Sequence, residues 1–133
     1  MLEKNMSKII EISTDKAPSA IGAYSQAIKV NNMIFISGQI PLNPKTMEIV
    51  PGNFDCQVDQ VLDNIISIAM EAGCNANNVV KITVFLKNLE NFQAVNKAME
   101  RAFSQPYPAR AAVEVSRLPK DVEVEMDAIL IGN

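Results

Sequence analysis

The pattern of this chain predicts an α+β domain, with two helices on one face of a six-stranded, mixed and mostly antiparallel sheet. Two segments carry apolar residues at helical spacing, six short runs read as strands, and each helical segment sits between strand-like runs. The order is strand, strand, strand, helix, strand, helix, strand, strand.

Lys8 to Ile12 alternates and opens the sheet. Ala23 to Lys29 and Met33 to Ser37 flank an Asn31-Asn32 turn, a residue type that accepts the backbone of tight hairpins. Gly38 to Pro51 reads as a loop because three prolines interrupt it. In Asp55 to Ala72, Val58, Val61, Leu62, Ile65, Ile68 and Ala69 fall on one side of a helix, with Asn53 placed to cap its start and Gly73 to stop it. Val79 to Leu86 is rich in β-branched residues. A second helix begins at Asn91, presents Phe92, Val95, Met99, Ala102 and Phe103 on one face, and is broken by Pro106. Two alternating runs follow, one opening at Arg110 and one spanning Val122 to Ile131, and the Leu118-Pro119-Lys120-Asp121 connection predicts that they form a hairpin. No repeat of 20 to 50 residues is evident.

With 133 residues, 48% hydrophobic and 20% charged, the chain reads as a single domain over residues 1–133 with material for a real core. No run approaches the roughly 18 apolar residues of a membrane span, and MLEKNMSK lacks the apolar centre of a signal peptide, so a cytoplasmic protein is expected. There is no histidine. Ser-His-Asp and Cys-His machinery, histidine metal sites and histidine-pair nucleases are therefore excluded within one chain. Cys56 and Cys74 cannot make a four-ligand zinc site and read as reduced filler. A net charge of −3 disfavours nucleic acid as the partner, since Arg110, Arg117 and Lys120 are interleaved with acids.

The residues with most chemistry are Arg110 and Glu125. A guanidinium at a strand start can grip a carboxylate through two parallel hydrogen bonds, and a nearby glutamate can handle a proton or a water. On spacing alone a surface salt bridge is the commoner outcome. The loop length also leaves open whether the two residues face the same side.

Four motifs in order, IGAYSQA from Ile21, ISGQIPLNPKT from Ile36, VFLKNLENFQAVN from Val84 and PARAAVEVSRLPKDVEVEM from Pro108, resemble the reactive intermediate deaminase family, RidA or YjgF, over nearly the whole chain from Met6. Met1 to Asn5 then reads as an extension to which no function is assigned. The resemblance implies a chorismate-mutase-like fold, a homotrimer with clefts between subunits, and hydrolysis of 2-imino acids to 2-oxo acids and ammonia without metal or organic cofactor. By the same resemblance, Arg110 binds the substrate carboxylate, Glu125 positions or activates water, and Tyr24 contacts the ligand. Ser37, Gly38 and Asn96 line the pocket, and the backbone of Ala112 helps orient the imine. Glu123 and Asp127 are decoys on the strand of Glu125. Two departures stand out: Ala112 replaces a cysteine common in the family, and Ala23 replaces a proline common before the tyrosine.

A trimer also answers a burial problem. Two helices cover one face of the sheet, yet Ile34, Ile36, Ile129 and Ile131 place apolar residues on both. Two rival functions remain on the table: an endoribonuclease or translation inhibitor, since family members have carried such names, and a non-catalytic metabolite-binding or chaperone-like trimer.

Overall fold

Asn53 is the helix cap that its position suggests. In the computed structural model, which describes residues 8–132, its side-chain oxygen accepts a hydrogen bond from the Cys56 N–H at 3.2 Å, and helix α1 runs Phe54–Glu71. Gly73 follows with φ +79, the left-handed turn that ends a helix without a Cβ penalty. Helix α2 covers Phe92–Ala102, entered through a short 3₁₀ turn at Leu89–Asn91. The suggested extension at Met1 to Asn5 lies outside the described residues.

Six strands are described: β1 Ile9–Ile12, β2 Ala27–Val30, β3 Met33–Gln39, β4 Val79–Leu86, β5 Ala109–Glu114 and β6 Val124–Ile131. Their order in the sheet is β1-β2-β3-β6-β4-β5. All neighbours are antiparallel except β4 and β5, which α2 joins as a parallel pair. Strand β2 starts later than the expected Ala23. Gly22, at φ +124, turns the chain there and leaves Tyr24 in the approach to the strand.

The expected hairpin of the last two strands does not form. Strand β4 lies between β5 and β6 and pairs with both. Val115 N–H donates to Leu86 O at 2.8 Å and Lys87 N–H to Glu123 O at 3.1 Å, so the Leu118 to Asp121 connection passes the end of β4 rather than turning back on β5. The cause is chemical. The sequence of β4, VVKITVFL, buries Ile82, Val84 and Leu86 completely and suits a central place, whereas β5, ARAAVE, has little to bury and takes the edge.

The core lies between one sheet face and the helices. Ile34 and Ile36 of β3, Val124, Met126 and Leu130 of β6, and the β4 triplet meet Val58, Val61, Ile65 and Ile68 of α1 and Val95 of α2. Each such side chain contributes about 1.5–3 kcal/mol on burial. Among the described residues no helix covers the other face. Met33, Phe35, Val113 and Ile131 are exposed there, and the cross-strand row Ile28, Phe35, Ile129 runs along it. Of the four isoleucines expected to divide between the faces, Ile34 and Ile36 point to the helices and Ile129 and Ile131 to the open side.

Candidate active site

The residues singled out from sequence fall into two groups on opposite faces of the sheet. Arg110 pairs in register with Ile82, which is buried under the helices, and Glu125 pairs with Phe85, which faces the open side. Paired residues share a face. Arg110 and Glu125 therefore cannot act on one small molecule within one chain.

Arg110 is built into the edge beside α2. Its Nη1 donates to Asn96 Oδ1 and approaches Met99 Sδ at 3.6 Å, and the guanidinium carbon lies 4.7 Å from the centre of the Phe92 ring. Phe92, Asn96 and Met99 recur at helical spacing, so one face of α2 clasps one side chain. Asn96 thus orients the arginine rather than acting alone. A cavity of about 340 Å³ opens here, lined by Asn96, Met99, Glu100, Tyr107, Pro108 and Arg110. Among the described residues Arg110 forms no ion pair. Ala112 sits two residues on, half-buried against the core.

Glu125 belongs to the open side. Between the pairs Ile36 with Ala128 and Gln39 with Met126, β3 has one residue more than β6, a bulge that contains Ser37 and Gly38. A Cβ added at Gly38 would stand 3.1 Å from the Glu125 carboxyl carbon and closer still to its Oε2. The lack of a side chain at Gly38 makes room for the Glu125 carboxylate beside the bulge. Burial, and then the charge of Asp127, hold the Glu125 pKa above the ordinary glutamate value. Glu123 lies just before β6, its backbone N–H donating to Gln57 Oε1 at 3.0 Å, and Asp127 shares the open face with Glu125.

Tyr24, half-exposed, folds back so that its phenol oxygen accepts from Ile21 N–H at 3.3 Å. With Gly38 it lines a cavity of about 450 Å³ whose other walls include Pro18, Ile40, Leu42 and Met47. Ser37 has its hydroxyl committed, donating to Ser25 O at 2.6 Å, and fixes the bulge rather than offering a free donor. Two buried amides missed by the sequence reading hold these walls. Gln26 donates to Thr14 O, Ala17 O and Pro18 O and accepts from Thr14 N–H, while Asn64 of α1 donates to Ile40 O and Leu42 O. Their signal was a polar residue on an otherwise apolar face, where burial demands partners.

Two variants test this geometry. Gly38→Ala is expected to push the Glu125 carboxylate from its seat and cost activity with little loss of fold, which unchanged melting with reduced turnover would show. Glu125→Gln tests the raised pKa. An acid whose folded pKa exceeds its unfolded one binds more protons when folded, so the stability it contributes falls as pH rises from the ordinary glutamate range through the folded pKa. Glu125→Gln should then melt above the wild type near pH 7 and level with it near pH 3, below both values. A variant that melts lower at both would show that the carboxylate is not strained.

Residues 14–131 match a family model described as Endoribonuclease L-PSP. A RutC family protein of Pyrococcus abyssi is 55% identical over 118 residues, 89% of this chain and 93% of that protein. The 2-iminobutanoate/2-iminopropanoate deaminase of Escherichia coli is 48% identical over 123 residues, covering 90% of this chain and 95% of that one. Among solved structures, the YjgF gene product of E. coli superposes with a TM-score of 0.88 at 46% identity, covering 93% of this chain and 99% of that one. E. coli TdcF with bound serine gives 0.87 at 38%, with the same coverage. Similarity at this level over nearly the full described length carries both fold and ancestry, and the chain belongs to the RidA/YjgF family.

Proposed function

We propose that this protein hydrolyses 2-imino acids, the tautomers of reactive enamines, to 2-oxo acids and ammonia at sites shared between copies of the chain in a homotrimer. The observation that carries this reading is the division of the site. Arg110 borders one cavity and Glu125 lies against Gly38, which borders another; the two residues sit on opposite faces of one sheet, and a second copy is needed to bring them together. The open apolar face supplies the surface for such an assembly. The 48% identical deaminase of E. coli supports the chemistry, and the serine in TdcF supports a small ligand that carries a carboxylate.

In this mechanism Arg110, held flat by Asn96 and Phe92, takes the substrate carboxylate through two hydrogen bonds. Backbone groups near Gly38 and Ala112 orient the imine. Glu125 positions a water against the imine carbon, accepts its proton as the C–O bond forms, and returns it to nitrogen. Glu125 then takes the hydroxyl proton of the resulting carbinolamine and passes it to the amine, and collapse expels ammonia and leaves the carbonyl. The raised pKa of Glu125 suits both directions of transfer. Tyr24 caps the pocket or holds the water. The test couples the protein to a pyridoxal-phosphate-dependent threonine dehydratase and times the release of 2-oxo acid. A trace unchanged by the protein would sink the proposal.

The ribonuclease reading rests on the description of the family model. The net charge of −3 and the lack of histidine speak against it. The purified protein is expected to leave RNA intact at physiological salt. Cleavage that follows the protein through several columns and vanishes in Arg110→Ala would revive that reading.

A further inference from the structure

We propose that the cavity beside Tyr24 and Gly38 is a subsite for the substrate's side chain, built for apolar groups larger than ethyl, and that Met47 sets this preference. The inference rests on the deaminase reading and adds the substrate class to it. Three observations carry it. First, the cavity reaches about 450 Å³ and is walled largely by Pro18, Ile21, Ile40, Leu42 and Met47, far more apolar surface than a methyl or ethyl group could use.

Second, these walls are built. The carbonyls of Ile40 and Leu42 are tied to α1 by the buried Asn64, and that of Pro18 to Gln26 at 2.7 Å. The turn beyond them closes on itself, with Asn43 N–H donating to Glu48 O at 2.9 Å and Met47 N–H to Asn43 O at 2.8 Å. Such a frame keeps its shape without a ligand, which lowers the ordering cost of binding.

Third, Met47 adopts φ +60, a left-handed conformation uncommon for a residue with a Cβ. A glycine would meet the turn's demand freely. The methionine at this strained position instead brings a long, adaptable thioether to the cavity wall. Its flexibility suits a range of aliphatic side chains rather than one shape. Lys120, exposed at the rim, is the feature that would favour a different class, a substrate with a second carboxylate.

The experiment measures binding of a series of 2-oxo acids by calorimetry, alongside turnover of the matching imines generated by an amino-acid oxidase. The wild type should bind 4-methyl-2-oxopentanoate about tenfold more tightly than 2-oxobutanoate, the discrimination that added methylenes bring in an apolar pocket. Met47→Gly should melt no lower than the wild type and lose about threefold or more of that advantage. Equal binding across the series, no binding of any 2-oxo acid, an advantage untouched in Met47→Gly, or tighter binding of 2-oxoglutarate would each overturn the subsite. Graded binding without imine turnover would instead overturn the deaminase reading and leave the subsite standing.

Discussion

Exchanging Arg110 for lysine is expected to cut imine hydrolysis by about 10²-fold, the rate equivalent of about 3 kcal/mol. The geometry around the guanidinium explains why a conserved charge would not rescue it. Asn96 Oδ1 takes one Nη, the Phe92 ring lies against the planar group, and the remaining N–H pairs are left to face a carboxylate in parallel. A lysine ammonium offers a point charge and no plane to stack. Arg110→Ala should lose more, with the loss concentrated in substrate binding, and so should weaken a bound 2-oxo acid as well. The dehydratase-coupled assay decides it: lysine at near the wild-type rate would mean that the carboxylate is held elsewhere.

Mixing two inactive variants is expected to restore activity. In a trimer whose sites take Arg110 from one copy and Glu125 from the next, random assembly of equal parts Arg110→Ala and Glu125→Gln leaves about one boundary in four with both residues intact. Co-expressed subunits should therefore show about a quarter of the wild-type rate, while each variant alone shows almost none. No recovery, in complexes proven to be mixed, would mean that Arg110 and Glu125 do not meet across a subunit boundary. A companion measurement uses the open face. Ile129→Asp puts a charge in the apolar row with Phe35 and should lower both activity and the mass seen by light scattering, from three times the 14.6 kDa chain mass toward one. An active monomer would refute the shared site.

Helix positions and caps were open to reading because they depend on local spacing. The periodic apolar face of α1, the Asn53 cap and the Gly73 stop each lie within one stretch of chain. Partnership between strands is not local. Alternation in β5 and β6 told which residues share a face within each strand, yet nothing in either run announced that β4 would insert between them. The facing of Arg110 and Glu125 depended on that insertion, so the reading could name both residues and leave their relation open. Ser37 shows a similar limit: its hydroxyl lies in the pocket motif, but the nearby Ser25 carbonyl takes it. A single amide in an apolar pattern, such as Gln26 or Asn64, resembles a surface residue until its carbonyl partners are seen.

The central place of β6 has a consequence for how the chain is made. This strand is the last described element to leave the ribosome, yet it joins β3 to β4, and among the described residues no other strand connects the two halves of the sheet. Until it emerges, β3 and β4 each present a bare edge, that of β4 on a strand rich in β-branched residues, which is a template for wrong pairing between nascent chains. At roughly 5–20 residues per second of synthesis, that exposure lasts seconds rather than milliseconds. The two halves can condense around their helices early, but closure waits for a long-range pairing of high contact order. Synthesis speed from β4 to β6 and chaperone supply are thus expected to influence yield apart from the stability of the folded domain.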